Sequence, residues 1–151
     1  MVRAMTMRAK RFEYAIELDR QGRLAAEGCP PLALGEEWTA DHLLLAALAR
    51  CTVHALRHHA EKAQIRVAAS AEASGAVTRR EEDGRYAFVE IDCAIEAELK
   101  PEPGADELKE LIFRAQRDCF VGATLTVKPD YRWTVNGRQL LGEVMPREEP
   151  S

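Results

Sequence analysis

Seven consecutive apolar residues, Leu43-Leu44-Leu45-Ala46-Ala47-Leu48-Ala49, lie inside a segment that reads as one long helix from about Ala40 to Lys62. Thr39 is placed to cap it, and Asp41 sits in the first turn, where a carboxylate favours the positive end of the helix dipole. For two turns such a helix is apolar nearly all round, and it must therefore be buried on every side. One small sheet covers a single face. The other face is expected to be covered by a second copy of the chain, giving an obligate dimer with this helix at its centre.

The remaining segments supply that sheet. Phe12, Tyr14, Ile16 and Leu18 alternate with Glu13, Ala15, Glu17 and Asp19, which predicts a half-buried strand, with a hairpin turn at Arg20-Gln21-Gly22-Arg23 and a return over 24–27. Residues 28–37 read as a loop. Period-two alternation recurs at Ile65, Val67, Ala69, Ala71 and Ala73 and again at Val89, Ile91, Cys93, Ile95 and Ala97, with a turn at Glu81-Glu82-Asp83-Gly84-Arg85 between them. Pro101-Glu102-Pro103-Gly104 breaks the second of these strands. A second helix then begins at Ala105-Asp106 and runs through Leu108, Leu111, Ile112 and Ala115 to Cys119. Residues 120–124 read as irregular, 125–135 as a last strand, and Asn136-Gly137 as a turn into a polar, frayed tail. Strand pairs joined by hairpins and interrupted by two helices predict an α+β fold with a largely antiparallel sheet.

A chain of 151 residues holds about one domain, expected to span 1–151 with a core over about 12–135 and frayed ends at 1–10 and 142–151. Charged residues make up 30% of the chain and the net charge is −4 with both signs interspersed, which points to neither a nucleic acid nor a membrane as partner. The basic start is followed by no apolar segment of membrane-spanning length, so a soluble, cytoplasmic protein is expected. Four cysteines without regular short spacing do not resemble a secreted disulfide framework.

Two of those cysteines invite a chemical reading. Cys51 closes the apolar run of the first helix and Cys119 closes the second helix. If the helices cross, two thiols face each other in an apolar pocket, the arrangement of a thiol that attacks an oxidant and a second that resolves it. The competing reading is that both pack as small hydrophobes. Cys93, on the apolar face of a strand, and Cys29, in a proline-rich loop, receive no role.

The segment from Thr39 to Cys51 resembles that of the OsmC and Ohr organic hydroperoxide reductases, whose pattern Pro-Glu-x-Leu-x-Ala-Ala-x-x-x-x-Cys places an acid ten positions before the first cysteine. Asp41 stands in the acidic place and Cys119 follows Cys51 by 68 residues, a spacing similar to the family's. Aspartate replaces the usual glutamate, and Phe120 follows Cys119 where proline is common. The resemblance implies an OsmC-like sheet packed on two helices in an intertwined homodimer. It implies a site in which Cys51 is peroxidatic, Cys119 resolving, Arg20 the cation that stabilises thiolate and peroxide, with Arg23 in reserve, and Asp41 the acid that orients the arginine. Burial among Leu and Ala would leave a thiol inert, so a cation is needed, and a guanidinium fork can hold a carboxylate while turning further donors to sulfur.

On this reading Cys51 reduces an organic hydroperoxide to its alcohol, becoming a sulfenic acid that Cys119 condenses to a disulfide. Apolar walls from Leu44, Leu48, Phe120 and Leu125 would favour an alkyl peroxide, at about 0.8 kcal/mol per buried methylene. No bound cofactor or metal is required. An external dithiol, a dihydrolipoyl group or a small thiol, would restore the enzyme. Two rivals remain. One keeps the fold without the activity, binding a small apolar ligand at the dimer interface. The other is a metal site from Cys51, His54 and His58, which lie at i, i+3 and i+7 on one helix face. Asp41 as a first-turn acid, and Arg20 and Arg23 as solvated turn residues, have structural readings of their own.

Overall fold

The computed structural model describes residues 9–140, and it divides at Thr39 into two compact units. The expected frayed ends lie almost wholly outside the described residues.

The amino-terminal unit is a three-stranded antiparallel sheet of β1 (Ile16–Leu18), β2 (Arg23–Ala26) and β3 (Leu32–Ala33). The turn is held by Asp19, whose carboxylate accepts the backbone N–H of Gln21 at 2.9 Å and of Arg23 at 2.8 Å, with Gly22 at a φ of 80°. These bonds, with that of the Arg23 side chain, hold the Asp19 carboxyl below its ordinary value, the backbone bond from Arg23 acting most. The expected half-buried strand differs in two respects. Only its last three residues pair, and Phe12, Tyr14, Ile16 and Leu18 are all more than 60% exposed, because this small unit holds no second layer of its own. Part of the expected loop, Leu32–Ala33, pairs with β2 instead.

The second unit contains α1 (Ala40–Lys62), β4 (Arg66–Arg79), β5 (Tyr86–Lys100), α2 (Ala105–Arg117), α3 (Phe120–Thr124), β6 (Asp130–Val135) and β7 (Arg138–Leu140). Its sheet runs β4-β5-β6-β7. The β4–β5 hairpin is the long antiparallel pair that the alternation predicts, with a register shift at Ala76/Val77. The β5–β6 pair is parallel, which departs from a purely antiparallel sheet. Parallel neighbours need a crossover, and α2 with α3 is that crossover.

All the buried hydrophobic side chains among the described residues belong to this unit. On β5 the buried side chains are Ile91, Cys93, Ile95, Ala97 and Leu99, with Glu96 and Glu98 pointing outward. Against them lie one stripe of α1, made of Leu48, Thr52, Ala55, Leu56 and Ala60, and one of α2, made of Leu111, Ile112 and Ala115. The rest of the apolar run of α1 is not covered within this chain: Leu43, Leu44 and Leu45 are half-buried, and Ala46 and Ala47 exposed. No helix among the described residues is long and apolar enough to cross a membrane.

Two side-chain contacts fasten the elements around this core. His59 Nε2 on α1 meets Asp118 Oδ2, just beyond α2, at 2.7 Å. The neighbouring Arg117 and then His59 hold the Asp118 carboxyl below its ordinary range against the opposing effect of burial. At the other end of the sheet Asn136 and Gly137, with φ of 50° and 79°, form the tight turn that returns the chain as β7 where a tail was expected. Asn136 Oδ1 also accepts the backbone N–H of Leu99 at 2.9 Å, and its Nδ2 donates to the carbonyl of the same residue at 3.3 Å.

Replacing Asn136 by Ala therefore removes both partners of Leu99 and puts a side chain ill-suited to positive φ into the turn; a loss of about 2 kcal/mol is expected. Asn136→Gly should recover only the backbone part. Urea denaturation of the three proteins measures both, and an Ala variant as stable as the parent would contradict this account of the turn.

Candidate functional site: a buried thiol cluster

Cys51 lies in the middle of α1, one residue before the buried Thr52, and keeps partial contact with solvent. Cys119 has no accessible surface. It does not end the second helix as expected: α2 stops at Arg117, and Cys119 is the cap of α3, a single turn formed by residues read from sequence as irregular. Its sulfur accepts the backbone N–H of Gly122 at 3.4 Å. A thiol in a capping position takes the place usually held by a Ser or Asp oxygen.

The two thiols meet. Cys51 is pushed above the ordinary thiol range, first by burial, and further by a hydrogen bond and charge coupling with Cys119. Backbone N–H groups of Val121 and, to a smaller extent, Phe120 act in the opposite direction, since they bond to the sulfur and stabilise its anion. The turn that Cys119 caps thus also aims donors at Cys51. At neutral pH the raised value favours the protonated thiol.

Behind the pair is a polar cluster in an otherwise apolar core. Thr52 Oγ1 lies 3.5 Å from the Cys119 sulfur and donates to the carbonyl of Leu48, one turn back on α1, at 2.9 Å. Cys93, fully buried on β5, is pushed up to about 11 by burial, with a hydrogen bond to Thr52 lowering it and Cys119 raising it. Tyr131, paired with Cys93 in the β5–β6 ladder, is driven above the ordinary phenol range, again first by burial and then by Cys119. A Cβ at Gly122 would come within 2.9 Å of the Tyr131 hydroxyl, so only glycine lets α3 close on that ring. Among the described residues no buried side-chain oxygen or nitrogen lacks a hydrogen-bond partner.

Of the other residues singled out from sequence, Leu48 is fully buried, and Leu44 and Leu125 are half-buried and packed on the core. Phe120 is 66% exposed, so its ring lines nothing within this chain. Asp41 is exposed in the first turn of α1. Arg20 and Arg23 are exposed residues of the β1–β2 hairpin in the amino-terminal unit, and Arg23 Nε donates to Asp19 Oδ2 at 2.8 Å. His54 and His58 are exposed, and among the described residues no three His, Cys, Asp or Glu side chains are grouped to hold a metal ion. Thr52, Tyr131 and Gly122 were not foreseen. A polar residue on the buried stripe of α1, directly after Cys51, is the one sequence signal that could have drawn attention to Thr52.

Comparison with known proteins matches the sequence model of one family, described as OsmC-like protein, to residues 33–134. A search of curated proteins finds no match. Among solved structures, the chain is similar to an OsmC-like protein from Mycoplasma pneumoniae, at 19% identity and a TM-score of 0.62 over 83% of this chain and 97% of that one. An OsmC-like protein of unknown function from Vibrio cholerae is similar at 11% identity and a TM-score of 0.63, covering 82% and 99%. An organic hydroperoxide resistance protein OsmC from Legionella pneumophila is similar at 19% identity and a TM-score of 0.54, covering 84% and 98%. At these identities the likeness is one of fold, while the family match takes in most of the chain: it is a member of the OsmC-like family.

Proposed function

We propose that the protein is a thiol-dependent peroxidase that reduces organic hydroperoxides to alcohols. The observation that carries this reading is the meeting of a partly open thiol, Cys51, with a fully buried one, Cys119. The open thiol can be reached by a peroxide, and the buried one is protected from it while remaining within reach of the first. Cys51 attacks the outer peroxide oxygen, the O–O bond breaks, the alcohol leaves, and Cys51 becomes a sulfenic acid. Cys119 displaces its hydroxyl as water to give the disulfide. Leu44 and Leu125, both half-buried, supply apolar surface for an alkyl chain over the fully buried Leu48. An external dithiol then restores both thiols in a reducing compartment, the cytoplasm, and neither cofactor nor metal takes part.

The raised Cys51 thiol needs a cation, for which we propose Arg20, with Arg23 in reserve and Asp41 as the acid that orients it. Asp41 and Cys51 are ten residues apart on α1, about 15 Å along the axis. One guanidinium with its hydrogen bonds does not bridge that distance. A homodimer resolves the difficulty. Two copies of α1 crossing antiparallel at the exposed Ala46, five residues from each, would bring Asp41 of one chain level with Cys51 of the other and cover the open side of the apolar run. The alternative reading, a non-catalytic relative that binds a small apolar ligand at that interface, draws on the raised Cys51 value.

One equivalent of cumene hydroperoxide, followed by intact mass and peptide mapping, separates the two. Loss of two hydrogens at a Cys51–Cys119 disulfide, faster than with hydrogen peroxide, is expected, as is arrest of Cys119→Ser at a sulfenic acid that dimedone traps. Slow, scattered oxidation would leave the thiols as packing. Arg20→Lys should slow sulfenic acid formation at least about tenfold, the order of one charge-assisted hydrogen bond; parent rates in both Arg20→Lys and Arg23→Lys would remove the hairpin from the mechanism. Sedimentation equilibrium should give a dimer for the parent and a monomer for Ala46→Glu, and a monomeric parent would exclude the shared site.

A further inference from the structure

The hydroxyl of Thr52 has one proton, and the structure shows where it goes: to the Leu48 carbonyl at 2.9 Å, the bond back along the helix that a buried Thr commonly makes. With that proton given to Leu48, the oxygen is left to accept in its 3.5 Å contact with the Cys119 sulfur, so the shared proton there belongs to the thiol, while Cys93 and Tyr131 approach the same hydroxyl. The same sulfur accepts the N–H of Gly122 at 3.4 Å. Both contacts come from elements fixed by the core, since Thr52 has no accessible surface and Gly122 is buried. The Cys119 side chain is thereby held by its neighbours: its S–H is directed at Thr52, and its sulfur is approached by the Gly122 N–H and by the Tyr131 hydroxyl.

We propose that Thr52 is a positioning residue for the resolving step: by taking the Cys119 S–H it turns that proton away from Cys51, so that the sulfur itself faces the thiol it must join. The proposal rests on the two-thiol cycle above. In the step concerned, the Cys119 sulfur forms the S–S bond, the Cys51 S–O bond breaks, and the hydroxyl leaves with the Cys119 proton as water. Thr52 makes and breaks no covalent bond, and the hydrogen bond it accepts is released as the Cys119 proton leaves with the hydroxyl. Its contribution is the orientation of Cys119, which governs how quickly the sulfenic acid is closed and how long it stays open to over-oxidation to sulfinic acid by a second peroxide.

The test compares the parent with Thr52→Val, which keeps the volume and loses the hydroxyl, and with Thr52→Ser, which keeps the hydroxyl. After a stoichiometric pulse of cumene hydroperoxide, rapid quenching with dimedone and mass analysis give sulfenic acid and disulfide separately. Disulfide closure should fall about tenfold in Thr52→Val, the order of one hydrogen bond, with more dimedone adduct and more sulfinic acid at Cys51, and should return towards the parent rate in Thr52→Ser. Closure as fast in Thr52→Val as in the parent, or as slow in Thr52→Ser as in Thr52→Val, would overturn the proposal. The infrared S–H stretch of Cys119, assigned by its loss in Cys119→Ser, supplies a readout without peroxide. It should move to higher frequency in Thr52→Val and stay put in Thr52→Ser, and an unmoved band in Thr52→Val would overturn the hydrogen bond itself. Failure of the peroxidase reading is recognised separately, by a parent protein that forms no sulfenic acid while the band still moves.

Discussion

The packing of one stripe of α1 into the core that it shares with the β4–β5 hairpin and α2 determines where the site in the second unit lies. Leu48, Thr52, Ala55, Leu56 and Ala60 recur at the helical period, and Ile91, Cys93, Ile95, Ala97 and Leu99 at the strand period, so each element presents one line of buried side chains to a common core. Complete burial of Leu48 and Leu56 contributes about 1.5–3 kcal/mol each. The stripe also carries the only polar residue with no accessible surface among the described residues, and that residue, Thr52, lies 3.5 Å from the Cys119 sulfur. The same contact that builds the core therefore sets the position of the thiols.

What the sequence made legible follows from how far each signal extends. The limits of α1, the β4–β5 hairpin and the start of α2 are written in long periodic runs, with Thr39 before α1, Gly84 in the hairpin and Pro101 to Gly104 before α2, and all three occur where expected. The parallel pairing of β6 with β5 is not legible in that way, because alternation says which face of a strand is buried and nothing about which neighbour it joins. The turn of α3 was missed because five residues are too few for a period to show. The alternating residues 12–18 illustrate the opposite error. The pattern is present, yet the side chains remain exposed, since a pattern records what a face is suited to pack against and a single chain need not provide it.

At the site, proximity of Cys51 and Cys119 could be anticipated from two helices that cross, but the cluster behind them could not. Cys93 and Tyr131 are brought together by the β5–β6 register, and Thr52 reaches both because a helix and a sheet converge there. Hydrogen-bond satisfaction ties these groups together. A thiol or a hydroxyl in an apolar interior costs less when each donor has an acceptor, and in this cluster the Thr52 proton has one in the Leu48 carbonyl.

Burial and reactivity oppose each other at Cys51. Withdrawal from water raises the thiol, and the N–H groups of Val121 and Phe120 recover only part of the difference. Cys51 can become a competent nucleophile only if positive charge is brought to it, and on α1 its chain neighbour Arg50 is exposed. On the proposed reading that charge comes from the hairpin arginines Arg20 or Arg23, so the reactive state depends on a residue that α1 does not itself supply. In that proposed cycle burial keeps the thiol protonated except where the cation is placed beside it, which limits indiscriminate oxidation.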